Sequence, residues 1–400
     1  MTWLLLFEEW ANFLLRWVHV IAGIGWIGSS FYFIHLDLSL RKREGLPEGV
    51  GGDAWQVHGG GFYHMQKYVV APKSMPKELT WFYWEAYATF LTGFALLVAH
   101  YYMNAEIYLV DKTVLDISGT TAILLSIAGL VVGYSVYEGL CRSPLGKNDL
   151  ALGAVGFAFL VFLAWFFTKI FSGRGAYIEL GALIGTAMVA NVAHVIIPNQ
   201  RKIVKALLAG ETPDPALGKA GKQRSVHNNY LTLPVIFMMV SNHYPLAFAS
   251  KYNWIIATLV LVIGVLIRHF YNEGHAGRAK PWWTWAVSAL LMAIIMWLSV
   301  AGSAIANAAA PRNVQFAQVQ DIVSARCSMC HAKEPVWDGI AAPPKGVMLD
   351  TPDAIRQHAK GIFLQAVATR AMPPGGNMTD LPDEDRQILA AWFANGAPGI

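Results

Sequence analysis

The 400-residue sequence predicts an all-α fold in two parts, a polytopic membrane bundle of about eight spanning helices and a small water-soluble helical domain after it. Charged residues are 14% of the chain and hydrophobic residues 55%, whereas a soluble domain carries about 25% charged residues. Eight mostly apolar stretches approach the roughly 20 residues that a bilayer-spanning helix needs. After residue 303 the sequence takes on the charge content of a soluble domain. These three observations together predict the two-part fold.

The eight apolar stretches give the predicted spans in chain order. They run near 12–36, 82–102, 121–141, 150–171, 177–198, 229–248, 252–271 and 282–303. The sixth contains Pro234, which a membrane helix tolerates where its neighbours satisfy the freed carbonyl. We therefore expect Pro234 to lie at a packed, interior position.

The positions of Lys and Arg predict the orientation of the bundle. Of the 22 before residue 304, 17 follow the first, third, fifth and seventh predicted helices or lie at their ends. Such basic loops face the cytoplasm. We therefore expect the N-terminus and everything after the eighth helix to lie on the outer side. The basic segments 41–43 and 201–224 are interpreted as loops that set this topology, and no nucleic-acid partner is expected.

The composition also predicts the domain boundaries: 1–303 for the membrane domain, 304–313 for a linker rich in small residues, and 314–400 for the soluble domain. Three cysteines are too few for a disulfide framework. The junction from Lys280 through the eighth helix also has the pattern of an internal cleavage signal, so cleavage of the linker remains an alternative.

The soluble domain contains a c-type haem attachment motif, C-x-x-C-H, at residues 327–331. Cys327 and Cys330 are one helical turn apart, so both can bond the vinyl groups of one porphyrin, and His331 then points at the iron as a ligand. A zinc half-site would need a second Cys/His pair, and only His358 remains here. Because haem c is attached on the outer side of bacterial membranes, we expect this domain in the periplasm, anchored to the bacterial inner membrane.

Met372 is the predicted sixth ligand of the haem c iron. It lies in an Arg-Ala-Met-Pro-Pro segment before a final helix predicted over 383–395, as in class I cytochromes c, and a thioether opposite His suits electron transfer. Met378 and Met348 are the alternatives, and each methionine can equally be a core residue. The soluble part is therefore predicted to be a class I cytochrome c domain.

The histidines of the membrane domain fall into two groups by depth. His19, His100 and His243 lie near the predicted outer face, close to the cytochrome. Imidazoles from different helices can clamp a haem b, and His19 with His243 is the predicted pair. A hydrogen-bonded core histidine is the ordinary alternative for each.

The inner group contains more polar residues and is the predicted substrate site. Ionisable groups within spans are functional candidates, and carboxylate, imidazole and amide groups from several elements could hold a polar, planar substrate. Three glycines between His58 and His64 permit close approach of the backbone to a ligand. Each member alone is more often structural. The predicted catalytic set is His58, His64, Glu85, Asn191, His194, His227 and Asn229.

Three segments resemble the bacterial membrane-bound, cytochrome-c-linked urate oxidases (urate hydroxylases or dehydrogenases). They are WVHVIAGIGWIGSSF at 17–31, HNNYLTLP at 227–234 and SNHY at 241–244. The haem motif is not specific to that family, and the membrane segments carry the resemblance. The helix around His19 also resembles small membrane families suspected of binding haem b.

The resemblance implies an oxidoreductase of purine catabolism that converts urate and water to 5-hydroxyisourate. Electrons would pass to the chain's own haem c rather than to oxygen, so no H2O2 would form, and then to a soluble cytochrome c or a terminal oxidase. Two other hypotheses remain open from the sequence: a membrane electron-transfer protein that links a quinol to a cytochrome c, and a transporter or haem-handling protein with a redox tail. The side of the membrane that binds urate also remains open.

Overall fold

The computed structural model describes residues 2–69, 72, 75–301, 314–338 and 340–399. The first part consists of α1 Thr2–Ser39, β1 Val50–His58, β2 Gly61–Tyr68, α2 Trp84–Leu97, α3 Ala105–Tyr108, α4 Gly119–Arg142, α5 Asp149–Phe167, α6 Gly173–Ala190, α7 Ile197–Leu208, α8 Pro215–Ser241, α9 Pro245–Phe248, α10 Asn253–His275 and α11 Trp283–Val300. Two π-helical turns, Val98–Tyr102 and Asn191–Ile196, extend α2 and join α6 to α7. A 3-10 turn, Pro144–Lys147, precedes α5.

Six helical segments of the described chain are long and apolar enough to cross a membrane. They are Glu9–Ser39, Gly119–Arg142, Asp149–Phe167, Gly173–Leu208, Asn253–His275 and Trp283–Val300. The other two predicted spans are helical as well, but α2 has only 14 residues before its π turn and α8 includes the polar sequence 219–229. The prediction of a polytopic helical membrane bundle is confirmed.

The segment 201–224, expected to be a loop, is largely helical. It contains most of α7 and the first turns of α8, and Asp214 caps α8 by accepting a hydrogen bond from the Ala216 N–H at 2.8 Å. A basic, polar composition does not distinguish a loop from a polar helix on a domain surface. The sixth span prediction therefore began 14 residues after the helix does.

The apolar core of the bundle is built around α6. Within Gly173–Leu208, which begins with α6, 61% of the apolar 18-residue window is buried, the largest share among the six apolar segments, and α6 packs against α4, α5 and α8. Small residues let these helices approach. A Cβ added to Gly133 of α4 would lie 2.7 Å from Leu183 Cδ1 of α6. Polar side chains on α6 are thereby held in the interior of the membrane domain.

Pro234 is buried inside α8, as expected for a proline in a packed membrane helix. The neighbouring helix α10 presents Gly264 to it, and a Cβ on that glycine would lie 2.5 Å from Pro234 Cδ. The close approach of α8 and α10 therefore depends on glycine at this position.

A β-hairpin follows α1, which the all-α prediction did not include. Strands β1 and β2 pair antiparallel, and the turn residues Gly59 and Gly60 have φ values of +58° and +79°. Two consecutive residues of positive φ form the turn that matches strand twist in a two-residue hairpin. The glycines between His58 and His64 therefore have a conformational role here.

The second part is a small helical domain around its own apolar core. It consists of α12 Phe316–Arg326, α13 Ser328–His331, α14 Pro352–Gln357, α15 Ala359–Ile362, α16 Pro374–Asn377 and α17 Asp383–Ala394, with a 3-10 turn at Pro344–Gly346 and a π turn at Phe363–Ala368. Three carboxylates in the first turn of α17 favour its start electrostatically. Trp392 of α17 is 1% exposed. The predicted linker 304–313 lies outside the described residues.

Candidate haem centre and polar network

The C-x-x-C-H segment forms one helical turn directly after α12. The backbone N–H groups of Cys330 and His331 donate to Cys327 O at 3.1 and 2.9 Å, which sets the two thiols on one side of α13. Burial raises the pKa of Cys327 to about 12, so this side chain is a neutral thiol in the polypeptide alone. The arrangement fits two thioether bonds to one porphyrin.

His331 has the hydrogen bond expected of an iron ligand. Its Nδ1 lies 3.0 Å from Val347 O, which places the ring proton on Nδ1 and leaves Nε2 for a metal. Burial is the main influence on this imidazole and lowers its pKa, so the neutral, ligating form prevails at neutral pH. The chemistry of these three residues fits haem c.

Met372 is positioned by the same small domain. Its side chain, like that of Cys327, packs against the core of this domain, and its backbone N–H donates to Gln365 O at 2.9 Å. The alternative ligand Met348 is 42% exposed. Met372 stays the predicted sixth ligand, while Met378 is turned towards Gly375.

The loop after Met372 lies on the membrane domain. Gly375 and Gly376 have φ values of +62° and +80°. A Cβ at Gly375 would lie 3.3 Å from Glu106 O, and one at Gly376 would lie 2.6 Å from Asp111 Oδ1. A cavity of about 460 Å³ between the two parts is lined by residues that include Arg174, Ala371 and Pro373. We call this contact the cytochrome junction, and the opposite end of the bundle the distal end.

A network of hydrogen bonds, here called the distal network, connects α4, the π turn Asn191–Ile196 and α8. Asn191, 1% exposed, donates from Nδ2 to Tyr137 Oη at 2.8 Å and to Asn228 Oδ1 at 2.9 Å. Its Oδ1 accepts from Arg224 Nη1 at 3.2 Å. Tyr137 Oη also lies 2.8 Å from His227 Nδ1. The π turn presents Asn191 to both helices, and such turns often occur at functional sites.

Arg224 supplies the positive charge of the distal network. Its side chain is 5% exposed, and its Nη2 forms an ion pair with Glu138 Oε2 at 2.8 Å. Its guanidinium also lies over the Tyr137 ring, 5.2 Å from the centroid. A buried cation, a carboxylate, two amides, a phenol and an imidazole are thus joined to one another by hydrogen bonds and an ion pair. Such a set can bind a planar, polar, anionic molecule.

Of the predicted catalytic residues, the structure brings Asn191 and His227 together. His194 is adjacent: its Nδ1 lies 2.9 Å from the hydroxyl of Tyr134, one turn before Tyr137. Asn229 belongs to a second set, in which its Oδ1 accepts from Asn272 Nδ2 at 2.9 Å and from Arg268 Nε at 3.4 Å.

The remaining members of the predicted catalytic set lie elsewhere. His64 Nε2 lies 2.8 Å from Asp53 Oδ2, and its ring stacks on Trp55 at 4.2 Å. His58 is exposed at the end of β1. Glu85 packs beside Gly25 of α1. His64 therefore makes a local cross-strand contact, and Glu85 lies at the contact between α1 and α2.

His19 and His243, the predicted haem b pair, have different surroundings. His19 Nδ1 lies 3.0 Å from Thr89 O and 3.1 Å from Thr92 Oγ1, which again leaves Nε2 free. Its ring contacts the surface of Gly93, where a Cβ would lie 2.8 Å from Cε1. His243 is exposed in the turn after α8. His19 thus has one ring nitrogen available to a metal, and His243 stays a prediction as its partner.

Sequence reasoning missed several members of the distal network and its neighbours. They are Tyr137, Arg224, Arg268 and Asn272. The assignment of 201–224 to a loop concealed that Arg224 precedes His227 by one helical turn. That spacing, in a segment that can be helical, was the signal that could have identified Arg224.

The apolar helices and the haem motif indicate a membrane-embedded oxidoreductase with a c-type cytochrome domain. The model of the urate oxidase N-terminal family matches residues 5–299, and the chain belongs to this family. Residues 314–393 match the model for subunit III of cbb3-type cytochrome c oxidase. No curated protein and no solved structure matches the chain.

Proposed function

We propose that this protein oxidises urate to 5-hydroxyisourate and passes the electrons to the haem c of its own C-terminal domain. The observation that carries the proposal is that a urate oxidase N-terminal domain and a cytochrome c domain occur in one chain. The cytochrome junction supports it further, because the loop after Met372 lies directly on the membrane domain. Urate and water give 5-hydroxyisourate, two protons and two electrons, so oxygen is not consumed and no H2O2 forms.

The distal network is the proposed urate site. Urate is a planar ring system with N–H and C=O groups on its edges, and it is an anion once it has lost one proton. Arg224 supplies a cation, and the amides of Asn191 and Asn228 supply both donors and acceptors. Burial of these groups strengthens each interaction, because water does not compete for them. The location of the distal network fits a substrate that is made and processed in the cytoplasm.

His227 is the proposed base for the first deprotonation. Its Nδ1 is engaged by Tyr137, which fixes the ring and leaves Nε2 to accept a proton from urate or water. Arg224 stabilises the negative charge that develops on the substrate, and the two amides hold the ring in plane. A base within hydrogen-bond reach of the reacting group accelerates the reaction because it takes up the proton in the transition state.

Electrons that travel from the distal network to the cytochrome junction need a further carrier between the two. Asn191 follows Arg174 by 17 residues along α6 and its π turn, which corresponds to about 26 Å at 1.5 Å per residue. That distance is long for one transfer. His19 is the proposed ligand of a haem b on this route, because its Nδ1 is bonded to Thr89 O and its Nε2 is free. A haem b there would accept and release single electrons. His243 stays a prediction as the opposite ligand.

The proposed arrangement in the cell follows from the charge asymmetry. The distal network lies on the cytoplasmic side of the bacterial inner membrane, and the cytochrome lies in the periplasm, where a soluble cytochrome c or a terminal oxidase takes the electrons onward.

Anaerobic spectroscopy of the purified full-length protein tests the proposal. Urate absorbance is expected to fall while the c-type absorption bands change to those of the reduced haem. In the variant Cys327→Ala, whose haem attachment is impaired, urate should disappear at a much lower rate. If urate leaves the haem oxidised while a quinol analogue reduces it, the protein is a quinol-linked electron carrier and the proposal is wrong.

A further inference from the structure

A buried carboxyl group in α6 has no part in the distal network. The side chain of Glu179 is 0% exposed. Ser126 Oγ of α4 donates to its Oε1 at 2.6 Å, and within the described ranges its Oε2 has no hydrogen-bond partner. Among the same residues no Lys, Arg or His forms an ion pair with it.

Burial without a cation decides the charge of Glu179. An ionised carboxylate in a membrane helix is costly unless a cation or several donors compensate it. Here one hydroxyl donates to one of the two oxygens. The group is therefore a neutral carboxylic acid, and the O–H on its second oxygen is free to donate.

Two tyrosines extend this polar group towards α2. Tyr102 Oη lies 2.6 Å from Ser126 Oγ, so phenol, hydroxyl and carboxyl form a continuous chain. Tyr101 is 5% exposed, its Oη has no partner among the described residues, and its ring centroid lies 6.0 Å from that of Tyr108. The π turn Val98–Tyr102 presents these adjacent tyrosines to the interior.

The position of this polar group relates it to the cytochrome. Glu179 follows Arg174 by five residues on α6, about 8 Å along the helix axis. Arg174 lines the cavity at the cytochrome junction together with Ala371 and Pro373. The chain of polar groups thus lies just beneath the junction, in the part of the bundle where the distal network does not reach.

We propose that Glu179, Ser126 and Tyr102 form a proton-transfer site beneath the cytochrome junction, with Glu179 as its proton-carrying member. This role rests on the proposed function, because oxidation of each urate releases two protons. The O–H bond of Glu179 breaks as its proton passes towards water on the cytochrome side. The carboxylate then takes a proton from Ser126, Ser126 takes one from Tyr102, and the Tyr102 phenolate is reprotonated by water, which takes up the protons that substrate oxidation releases at the distal network.

Infrared spectroscopy of the full-length protein tests the charge of Glu179 without any urate. A carbonyl band of a buried carboxylic acid is expected, and it should disappear in Glu179→Gln. Ser126→Ala should shift the same band, because it removes the donor to Oε1 while it keeps the acid. The control Glu106→Gln changes an exposed carboxylate and should leave the band in place. A band that persists in Glu179→Gln, or no such band in the wild type, would overturn the proposal.

Turnover tests the transfer of the proton. We expect urate oxidation to fall about tenfold or more in Glu179→Gln, while dithionite reduces its haem c as fast as in the wild type. Unchanged urate turnover in this variant would refute a transfer role. If the wild type itself does not oxidise urate, the proposed function fails, and the infrared result still decides whether the buried acid is neutral.

Discussion

Replacement of Arg224 by Met should lower the free energy of unfolding more than any substitution on the surface of the same helices. The guanidinium is 5% exposed and pairs with Glu138 at 2.8 Å, and it also donates to Asn191 at 3.2 Å. Removal of one partner of a buried ion pair costs about 3–5 kcal/mol, because the other charge is left unpaired. Glu138 keeps a second partner, Arg142, at 2.6 Å. We therefore expect Arg224→Met to lower the free energy of unfolding by about 3 kcal/mol, the lower end of that range.

Arg142→Met is the matched control, since it removes the other cation from the same carboxylate. The Arg142 side chain is 73% exposed, and an exposed ion pair contributes about 0–1 kcal/mol. The free energy of unfolding is measured by SDS titration in detergent micelles, and urate oxidation is measured in parallel. In Arg224→Met/Glu138→Gln the stability should partly recover and the activity should not. Equal stability and full activity in Arg224→Met would refute the network as a buried urate site.

Three further predictions concern single positions. Met372→Ala should lower the midpoint potential of haem c, because a thioether opposite His raises it; a redox titration with the potential unchanged would exclude Met372 as a ligand. Tyr137→Phe should reduce urate oxidation about tenfold or more, because it frees His227 from its hydroxyl partner, whereas Tyr134→Phe should have the smaller effect; the reverse order would move the site to His194. Gly264→Ala should cost about 1–3 kcal/mol by overpacking against Pro234, whereas Gly153→Ala, with open space around it, should be neutral or stabilising; equal unfolding free energies would show that α8 and α10 are not closely packed.

The parts of the fold that depend on local sequence were predictable. Apolar length locates the helices, and the spacing of Cys327, Cys330 and His331 within one helical turn identifies the haem motif. The final helix was expected over 383–395 and is found at Asp383–Ala394. Each of these depends on neighbours in sequence, so the pattern itself carries the information.

The distal network depends on contacts between distant segments, and the sequence indicated only part of it. Asn191 and His227 were identified as polar residues in or beside apolar helices. Tyr137 was not identified, because its hydrogen bonds to the π turn Asn191–Ile196 and to α8 depend on how these segments pack. Glu179 was missed for a related reason: its hydrogen bond to Ser126 joins residues 53 positions apart.

The central claim is that electrons from urate pass to haem c and not to oxygen. The most direct measurement is the stoichiometry of anaerobic turnover with an excess of oxidised soluble cytochrome c as acceptor. Two molecules of that cytochrome should be reduced for each urate that disappears, and H2O2 should not form when air is admitted. Urate loss that requires oxygen and yields H2O2, with the haem c absorption unchanged, would contradict the account.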